Sequence, residues 1–268
     1  MASFDLIVAT VGRVDELRRL FASLERQTNQ DFRVLVVDQN DDDRISGVLD
    51  AQPFEIVRLT SPPGLSHARN AGLQEANGEF VAFPDDDCVY PDDLLERVAV
   101  RFARDARLDG LSGRADTSAS WVQTPAILTR ENIWNRAISY GIFLRRSSIE
   151  QVGMFDERLG LPLSSGEEID YLIRAVDLGA RIEYDPTLVV HHAPEARSRI
   201  ELAARDGASI GYILRKHRFP PQTLARMLVR PVGGAVLACL KNDRQQAGFH
   251  VVTLRGRLRG YRRATPSR

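Results

Sequence analysis

At 268 residues the chain is long enough for one large α/β domain with a smaller appendage, or for two modest domains. Its hydrophobic content of 43% and charged content of 27% are ordinary for a soluble globular protein, and its two cysteines, Cys88 and Cys239, stand far apart and outside any CxxC or His-rich context, which argues against a disulfide framework or structural zinc and makes a reducing compartment the default. The net charge of zero hides an asymmetry: residues 197–268 hold 16 Lys/Arg against only Glu201, Asp206 and Asp243, so an acidic body carries a basic tail suited to an anionic partner.

In chain order, residues 4–9 form an apolar run of strand length. Met1 leads into it without the basic region and long apolar core of a signal peptide, so none is expected. Over 14–27, Leu17, Leu20, Phe21 and Leu24 recur at helical spacing, and 32–37 reads as a buried strand ending at Asp38. A short helix near 43–51 leads to a third strand over 54–59. The turn Ser61-Pro62-Pro63-Gly64 opens a helix across 66–77, which Gly78 closes. The fourth strand is 80–83, and Pro91 stands at the start of the next helix. After residue 107 the pattern loosens: 139–144 is strand-like, 166–178 is an amphipathic helix, and 182–184 and 188–191 are short strands. Past Pro194 the chain is helical and basic, hinged at Pro220-Pro221. This rhythm predicts an α/β fold, a Rossmann-like, mainly parallel sheet flanked by helices on both faces, with a C-terminal helical extension. The expected division is 1–195 and 196–268.

Ligands of such sheets gather beyond the carboxyl ends of the strands. Residues 10–13 follow the first strand, Asp38 ends the second, and Asp85-Asp86-Asp87 follow the fourth. Packed carboxylates repel, and a divalent metal is the usual resolution; Mg²⁺ or Mn²⁺ on one or two carboxylates commonly takes substrate phosphates as further ligands. Aspartates also suit the start of a helix, so the trio alone leaves a capping role open. Its position beyond a buried strand, level with Asp38, favours the metal.

The stretch from Gly64 to Gly72 (GLSHARNAG), followed by Ala76 to Asp87 (ANGEFVAFPDDD), resembles the core signature of the family 2 glycosyltransferases, inverting enzymes with the A-type fold. Further segments resemble that family in the expected order. They are Val36-Val37-Asp38, Gly153-Met154-Phe155-Asp156-Glu157, Gly166-Glu167-Glu168-Ile169-Asp170-Tyr171 with Arg174, and Tyr184-Asp185-Pro186 leading to His191-His192. The resemblance covers roughly residues 4 to 195, the first of the two expected domains, and implies a nucleotide-diphosphate sugar donor, a glycan or lipid-linked acceptor, and a role in cell-surface polysaccharide synthesis.

The resemblance also implies site residues. Thr10, Asp38 and Arg69 would bind the base and ribose of the donor, and Asp85 and Asp86 belong with them. Asp87, with Asp85 and His192, would hold Mn²⁺ or Mg²⁺, and Glu168 would be the base, with Glu167 in reserve. Carboxylates in a first helical turn are also stabilising in themselves, so a dipole role for that pair stays open. Arg13 either meets phosphate or is solvated. Neighbouring positions of a strand face opposite ways, so only one of His191 and His192 can point into the site. Two departures stand out: Glu167-Glu168 replaces the usual Glu-Asp, which lengthens the carboxylate arm by one methylene, and Gln39-Asn40-Asp41 replaces the common Asp-Gly-Ser after Asp38.

In the tail, the uninterrupted apolar stretch 231–240 is too short to span a bilayer. With its flanking arginines it suits a helix lying on an anionic membrane, so the expected location is cytoplasmic and peripheral on the inner face of the cell membrane. Nucleic acid is not expected, because the tail has few aromatics and no reader motif. Homodimerisation through the apolar stretch stays open. Residues 85–89 also fit the DxDx(T/V) loop of haloacid-dehalogenase-like phosphatases, though that loop usually follows a first strand, and a degenerate site would make the chain a non-catalytic sugar-binding module.

Overall fold

The computed structural model describes residues 3–116, 121–160, 165–192 and 199–264; Pro194, Arg197 and Arg268, counted in the expected tail and its boundary, lie outside these. The described chain is a mixed α/β structure with a helical C-terminal part. The elements run β1 (Phe4–Thr10), α1 (Val14–Glu25), β2 (Phe32–Asp38), α2 (Ser46–Leu49), β3 (Ile56–Thr60), α3 (Leu65–Glu75), β4 (Phe80–Ala82), β5 (Cys88–Val89), α4 (Leu94–Arg104), β6 (Gly110–Ala115), β7 (Ala126–Ile127), β8 (Ile142–Arg145), α5 (Arg146–Val152), α6 (Glu167–Asp177), β9 (Ile182–His192), α7 (Arg199–Lys216), α8 (Pro221–Leu240) and α9 (Arg244–Arg263).

The chain divides into two compact units, Met1–Asp156 with Tyr171–Pro194, and Glu157–Asp170 with Glu195–Arg268. This division differs from the expected break after residue 195, because residues 157–170 group with the helices that follow. In that second unit Asp170 is fully buried and receives Lys216 Nζ at 2.6 Å and His217 Nε2 at 2.7 Å, while Ser165 Oγ donates to Asp206 at 2.8 Å.

The nine strands among the described residues belong to the first unit, in the order β3-β2-β1-β4-β8-β6-β9-β5, with β7 pairing β9. The pairs β1–β2, β2–β3 and β1–β4 are parallel, as the alternation predicts. Beyond β4 the order turns mixed: β8 runs antiparallel to β4 and β6, and β9 is parallel to β6. Two short strands expected at the end of the domain are one continuous strand, β9, paired to β6 across a register shift near Gly113, where a Cβ would come within 2.4 Å of the Leu188 carbonyl oxygen. The strand-like run 139–144 starts as a 3₁₀ turn over Ser139–Gly141 before β8 begins.

On β1, Phe4, Leu6 and Val8 join Leu17, Leu20, Phe21 and Leu24 of α1 in the main core. Ile7 faces the other side, where α3 comes so close that a Cβ on Gly72 would meet its side chain at 2.4 Å. Asp5 shares that face and is fully buried. It pairs with Arg33 at 2.6 Å and accepts from the Asn77 and Gly78 amides at 2.6 and 2.7 Å, fixing the turn between α3 and β4.

The helices of the second unit pack through glycine. Gly207 and Gly211 on α7 face Gly256 and Gly260 on α9. A Cβ at Gly211 would stand 1.9 Å from the Arg257 carbonyl oxygen, and one at Gly260 would stand 1.8 Å from that of Ala208. Both obstacles are backbone, so the two main chains meet directly, the arrangement in which Cα–H groups approach carbonyls. The run 231–240 is the second half of a helix twenty residues long, and α8 as a whole is long and apolar enough to cross a membrane, which corrects the expectation of a stretch too short to span one.

Gly260→Ala is expected to destabilise the protein by about 1–3 kcal/mol through overpacking, whereas Gly233→Ala, on an exposed helical surface with nothing near its Cβ, should stabilise it by up to about 1 kcal/mol. Urea unfolding of the two variants gives both values, and equal effects would show that α7 and α9 do not meet this closely.

Candidate functional site

The site lies where the parallel strands end. Thr10 and Asp38 are register partners at the ends of β1 and β2, and Asp38 pairs on to Thr60 of β3. Asp38 is almost wholly buried, and its carboxylate is held on both oxygens: Arg58 Nη2 and Nε donate to Oδ2 at 2.7 and 3.1 Å, and Asn40 donates to Oδ1 from its backbone and side chain at 2.9 and 2.7 Å. Asn40 Oδ1 in turn accepts from the Gly12 amide at 2.7 Å. The unusual Gln39-Asn40 pair therefore ties the loop after β2 to the loop after β1. Gln39 does the same on the other side through Ser61, at 2.9 Å, and Gly64, at 3.2 Å.

The three aspartates are not equivalent. Asp86 is buried and turned to Arg13, whose Nη1 donates to it at 2.9 Å and to Asp87 Oδ2 at 2.5 Å. Burial pushes the Asp86 carboxyl up to about 6, against the opposing pull of Arg13, with Asp87 adding to the rise. Asp85 and Asp87 are partly exposed, and with His192 they bring three ligand atoms within 4.8 Å of one another. His192 Nε2 stands 2.9 Å from Asp87 Oδ1. Burial alone would raise the Asp87 carboxyl, but the hydrogen bond and charge of His192 and the charge of Arg13 outweigh it and hold this group below its ordinary value.

The histidine arrives by strand pairing. β5 follows the aspartates at once and runs antiparallel to β9, with Cys88 opposite His192 and Val89 opposite His191. His192 faces Asp87 and lies flat against Tyr140, with ring centroids 4.7 Å apart and planes 10° from parallel. His191 turns the other way, its Nδ1 2.6 Å from Asp116 Oδ2. Cys88 is fully buried, and burial raises its thiol well above the ordinary value. Packing explains it without any reactive role.

Arg69 is buried on α3, its guanidinium over the rings of Phe83 at 5.7 Å and Phe155 at 5.6 Å, and it donates to Asp85 Oδ1 at 3.4 Å. The next residue, Asn70, makes a two-way bond to the Phe155 backbone, donating to its carbonyl at 3.1 Å and accepting from its amide at 2.7 Å. So the Phe155 segment is fixed by Asn70 and in turn roofs Arg69. Ser139 Oγ reaches Asp85 Oδ2 at 3.5 Å. Glu167 and Glu168 open α6 in the second unit, Glu167 buried and Glu168 partly exposed. Arg174, in the first unit, donates to the carbonyls of Val152 and Met154 at 2.8 and 2.9 Å, which makes it a brace.

Sequence reasoning did not reach Arg58, Asn70, Ser139 or Tyr140. An arginine in a half-buried strand, two residues before its end, was the available signal for Arg58. Ser139 and Tyr140 carry no motif and reach the aspartates and His192 only through the fold.

Comparison with known proteins bears on this geometry. The family Glycosyl transferase family 2 matches residues 5–151, more than half of the chain. The pre-mycofactocin glycosyltransferase of Mycobacterium tuberculosis is 28% identical over 260 residues, covering 87% of this chain and 51% of that protein, so this chain spans about half its length. The succinoglycan biosynthesis protein ExoM of Rhizobium meliloti is 26% identical, covering 86% of this chain and 76% of its own. Among solved structures, the mannosyltransferase PcManGT from Pyrobaculum calidifontis in complex with GDP-Man and Mn²⁺ superposes with a TM-score of 0.68 at 19% identity, covering 96% of this chain and 86% of that one. S. aureus TarS superposes at 0.60 with 20% identity, covering 97% and 54%. These superpositions make the fold a glycosyltransferase A-type fold.

Asn70→Ala is expected to cost about 2–4 kcal/mol, because it strands two buried backbone groups of Phe155. Denaturant unfolding measures the loss, and a cost below about 0.5 kcal/mol, the usual range of a neutral surface change, would remove this brace from the site.

Proposed function

This chain belongs to glycosyl transferase family 2, and we propose that it is an inverting, metal-dependent glycosyltransferase moving a sugar from a nucleotide-diphosphate donor to a hydroxyl of a glycan or lipid-linked acceptor, in cell-surface polysaccharide synthesis. The observation that carries this reading is the convergence of Asp85, Asp87 and His192 beside the strand ends that bear Thr10 and Asp38. Two carboxylates and an imidazole are a donor set that fits Mn²⁺, and the mannosyltransferase PcManGT, in complex with GDP-Man and Mn²⁺, shares the fold. Such a cation would neutralise the diphosphate as it leaves. Relatives in succinoglycan biosynthesis support the polysaccharide role, and nothing found in the comparisons favours the phosphatase or the non-catalytic module.

The chain's own groups take the remaining roles. Thr10, Asp38 and Arg69, with Asp85 and Asp86, form the donor-binding set, and Arg13 balances the aspartates from the loop after β1. Asp38 is already saturated by Arg58 and Asn40, so its contribution to the donor runs through that rigid cluster. Glu168 is the base that takes the acceptor's proton as its oxygen attacks the anomeric carbon. Its partial exposure, against the burial of Glu167, supports that choice. The reaction is assigned to the cytoplasmic face of the cell membrane, with the protein held there peripherally; the basic tail supports this.

Screening nucleotide sugars for Mn²⁺-dependent thermal stabilisation identifies the donor, since a bound ligand raises apparent stability by mass action. Asp87→Asn should stay folded and lose most of that metal-dependent gain, because an amide is a poorer ligand for a hard cation. Unchanged Mn²⁺-dependent donor affinity would sink the metal assignment.

Glu168→Gln should keep donor affinity while turnover falls by roughly two to four orders of magnitude, the scale of general base catalysis. Sugar transfer assayed in parallel on Glu167→Gln tests the register. Loss there, with Glu168→Gln active, would move the base by one residue.

A further inference from the structure

α8 shows an apolar ridge to solvent. Val229, Val232, Val236, Leu237 and Leu240 are between 45% and 77% exposed, and their spacing puts them on one side of the helix. They are five of the eleven large hydrophobics exposed among the described residues. Arg226 and Arg230 share that side at its N-terminal end, and Lys241 and Arg244 follow its other end, all exposed. A surface of this size and sequence has a cost in water, and the charge around it names its partner. Cationic groups bracketing an apolar ridge complement anionic headgroups above acyl chains.

By length and apolarity alone α8 could also cross a bilayer. Its neighbour argues otherwise. α9 packs antiparallel along α8: a Cβ on Gly234 would meet the His250 ring at 2.4 Å, and Arg257 Nη1 donates to the Met227 carbonyl. A spanning α8 would therefore carry Arg255, Arg257 and His250 into the hydrocarbon beside its middle turns, where ionisable side chains are strongly disfavoured. With one side covered by α9, α8 has only the ridge to offer lipid.

We propose that this ridge seats the protein on an anionic lipid surface, with α8 lying in the plane of the interface. The proposal deepens, and rests on, the reading of an enzyme held peripherally at a membrane. Its occupant is the bilayer itself.

The test uses the full chain, because deleting residues after Pro220 would strip α9 from the glycine face of α7. Cys239, exposed beside the ridge, accepts a polarity-sensitive thiol fluorophore, whereas Cys88 is buried and does not compete. With phosphatidylcholine vesicles containing phosphatidylglycerol, the label's emission should rise and shift to the blue, co-sedimentation should weaken with salt, and quenchers at the headgroup boundary should act more strongly than quenchers at the bilayer centre. Pure phosphatidylcholine should give little response. Leu237→Ser with Leu240→Ser, both at exposed positions, should lower vesicle binding by roughly ten-fold or more, with the thermal midpoint and Mn²⁺-dependent donor binding unchanged. Arg226→Gln with Arg230→Gln should lower it by about five-fold for each charge removed and flatten the salt dependence.

Folded protein that ignores anionic vesicles at low salt overturns the proposal, as does undiminished binding of the double serine variant. Quenching strongest at the bilayer centre, with resistance to alkaline extraction, would make α8 a spanning helix. Emission that rises with protein concentration in the absence of vesicles would give the ridge to a second copy of the chain. Vesicle binding that survives while no nucleotide sugar binds would sink the catalytic reading and leave this one standing; the reverse pattern would sink this one, and the peripheral location with it, while the transferase reading stands.

Discussion

Three successive carboxylates on the lip of a buried strand are the constraint around which the first unit is arranged. Their mutual repulsion has to be met by groups that folding brings beside them. Asp86 turns inward, where burial favours its neutral form and Arg13 opposes that. Asp85 and Asp87 turn outward, and His192 closes on Asp87. Neither Arg13 nor His192 is near the aspartates in sequence. Arg13 is delivered by the parallel pairing of β1 with β4, and His192 by the antiparallel pairing of β5 with β9. The mixed half of the sheet therefore has a chemical purpose, since a purely parallel continuation would not bring a second strand back along the aspartate turn.

Rigidity around this cluster comes from buried polar groups that are satisfied. Asp5 locks the turn after α3, Asn70 fixes Phe155, and Phe155 with Phe83 brackets the Arg69 guanidinium. The loops after β1, β2 and β3 are stitched together through Asn40 and Gln39. Such a network limits the reorganisation needed when charge develops at a site. Its parts lie on strand ends and helix starts rather than on long free loops, which is where precise positioning is least costly.

The second unit follows a different logic. Helices α7 and α9 approach through glycine, backbone against backbone, while α8 turns five large apolar residues to solvent. The same unit holds the start of α6 through Asp170, with Lys216 and His217 closing on one carboxylate oxygen. A change at the end of α7 thus bears directly on the turn that carries Glu167 and Glu168.

Periodicity and punctuation sufficed for the parallel half of the sheet, because β1, β2 and β4 are largely apolar runs bounded by turn residues, and Thr10, Asp38 and the aspartates after β4 follow at the same edge. The ordered motifs from Gly64 to His192 likewise carried the family, and the basic excess past Pro194 was plain from counting. Local sequence could not reveal β9 as one strand, since its pattern breaks at Asp185-Pro186 and only pairing with β6 and β5 holds it together. It could not tell that residues 157–170 belong with the C-terminal helices, because the Asp170 contacts that decide this come from distant residues. Nor could it separate the three aspartates, whose identical side chains differ only in what folding sets beside them. Composition specifies which groups are available; distances between remote segments decide which of them act together, and those exist only once the strands have paired.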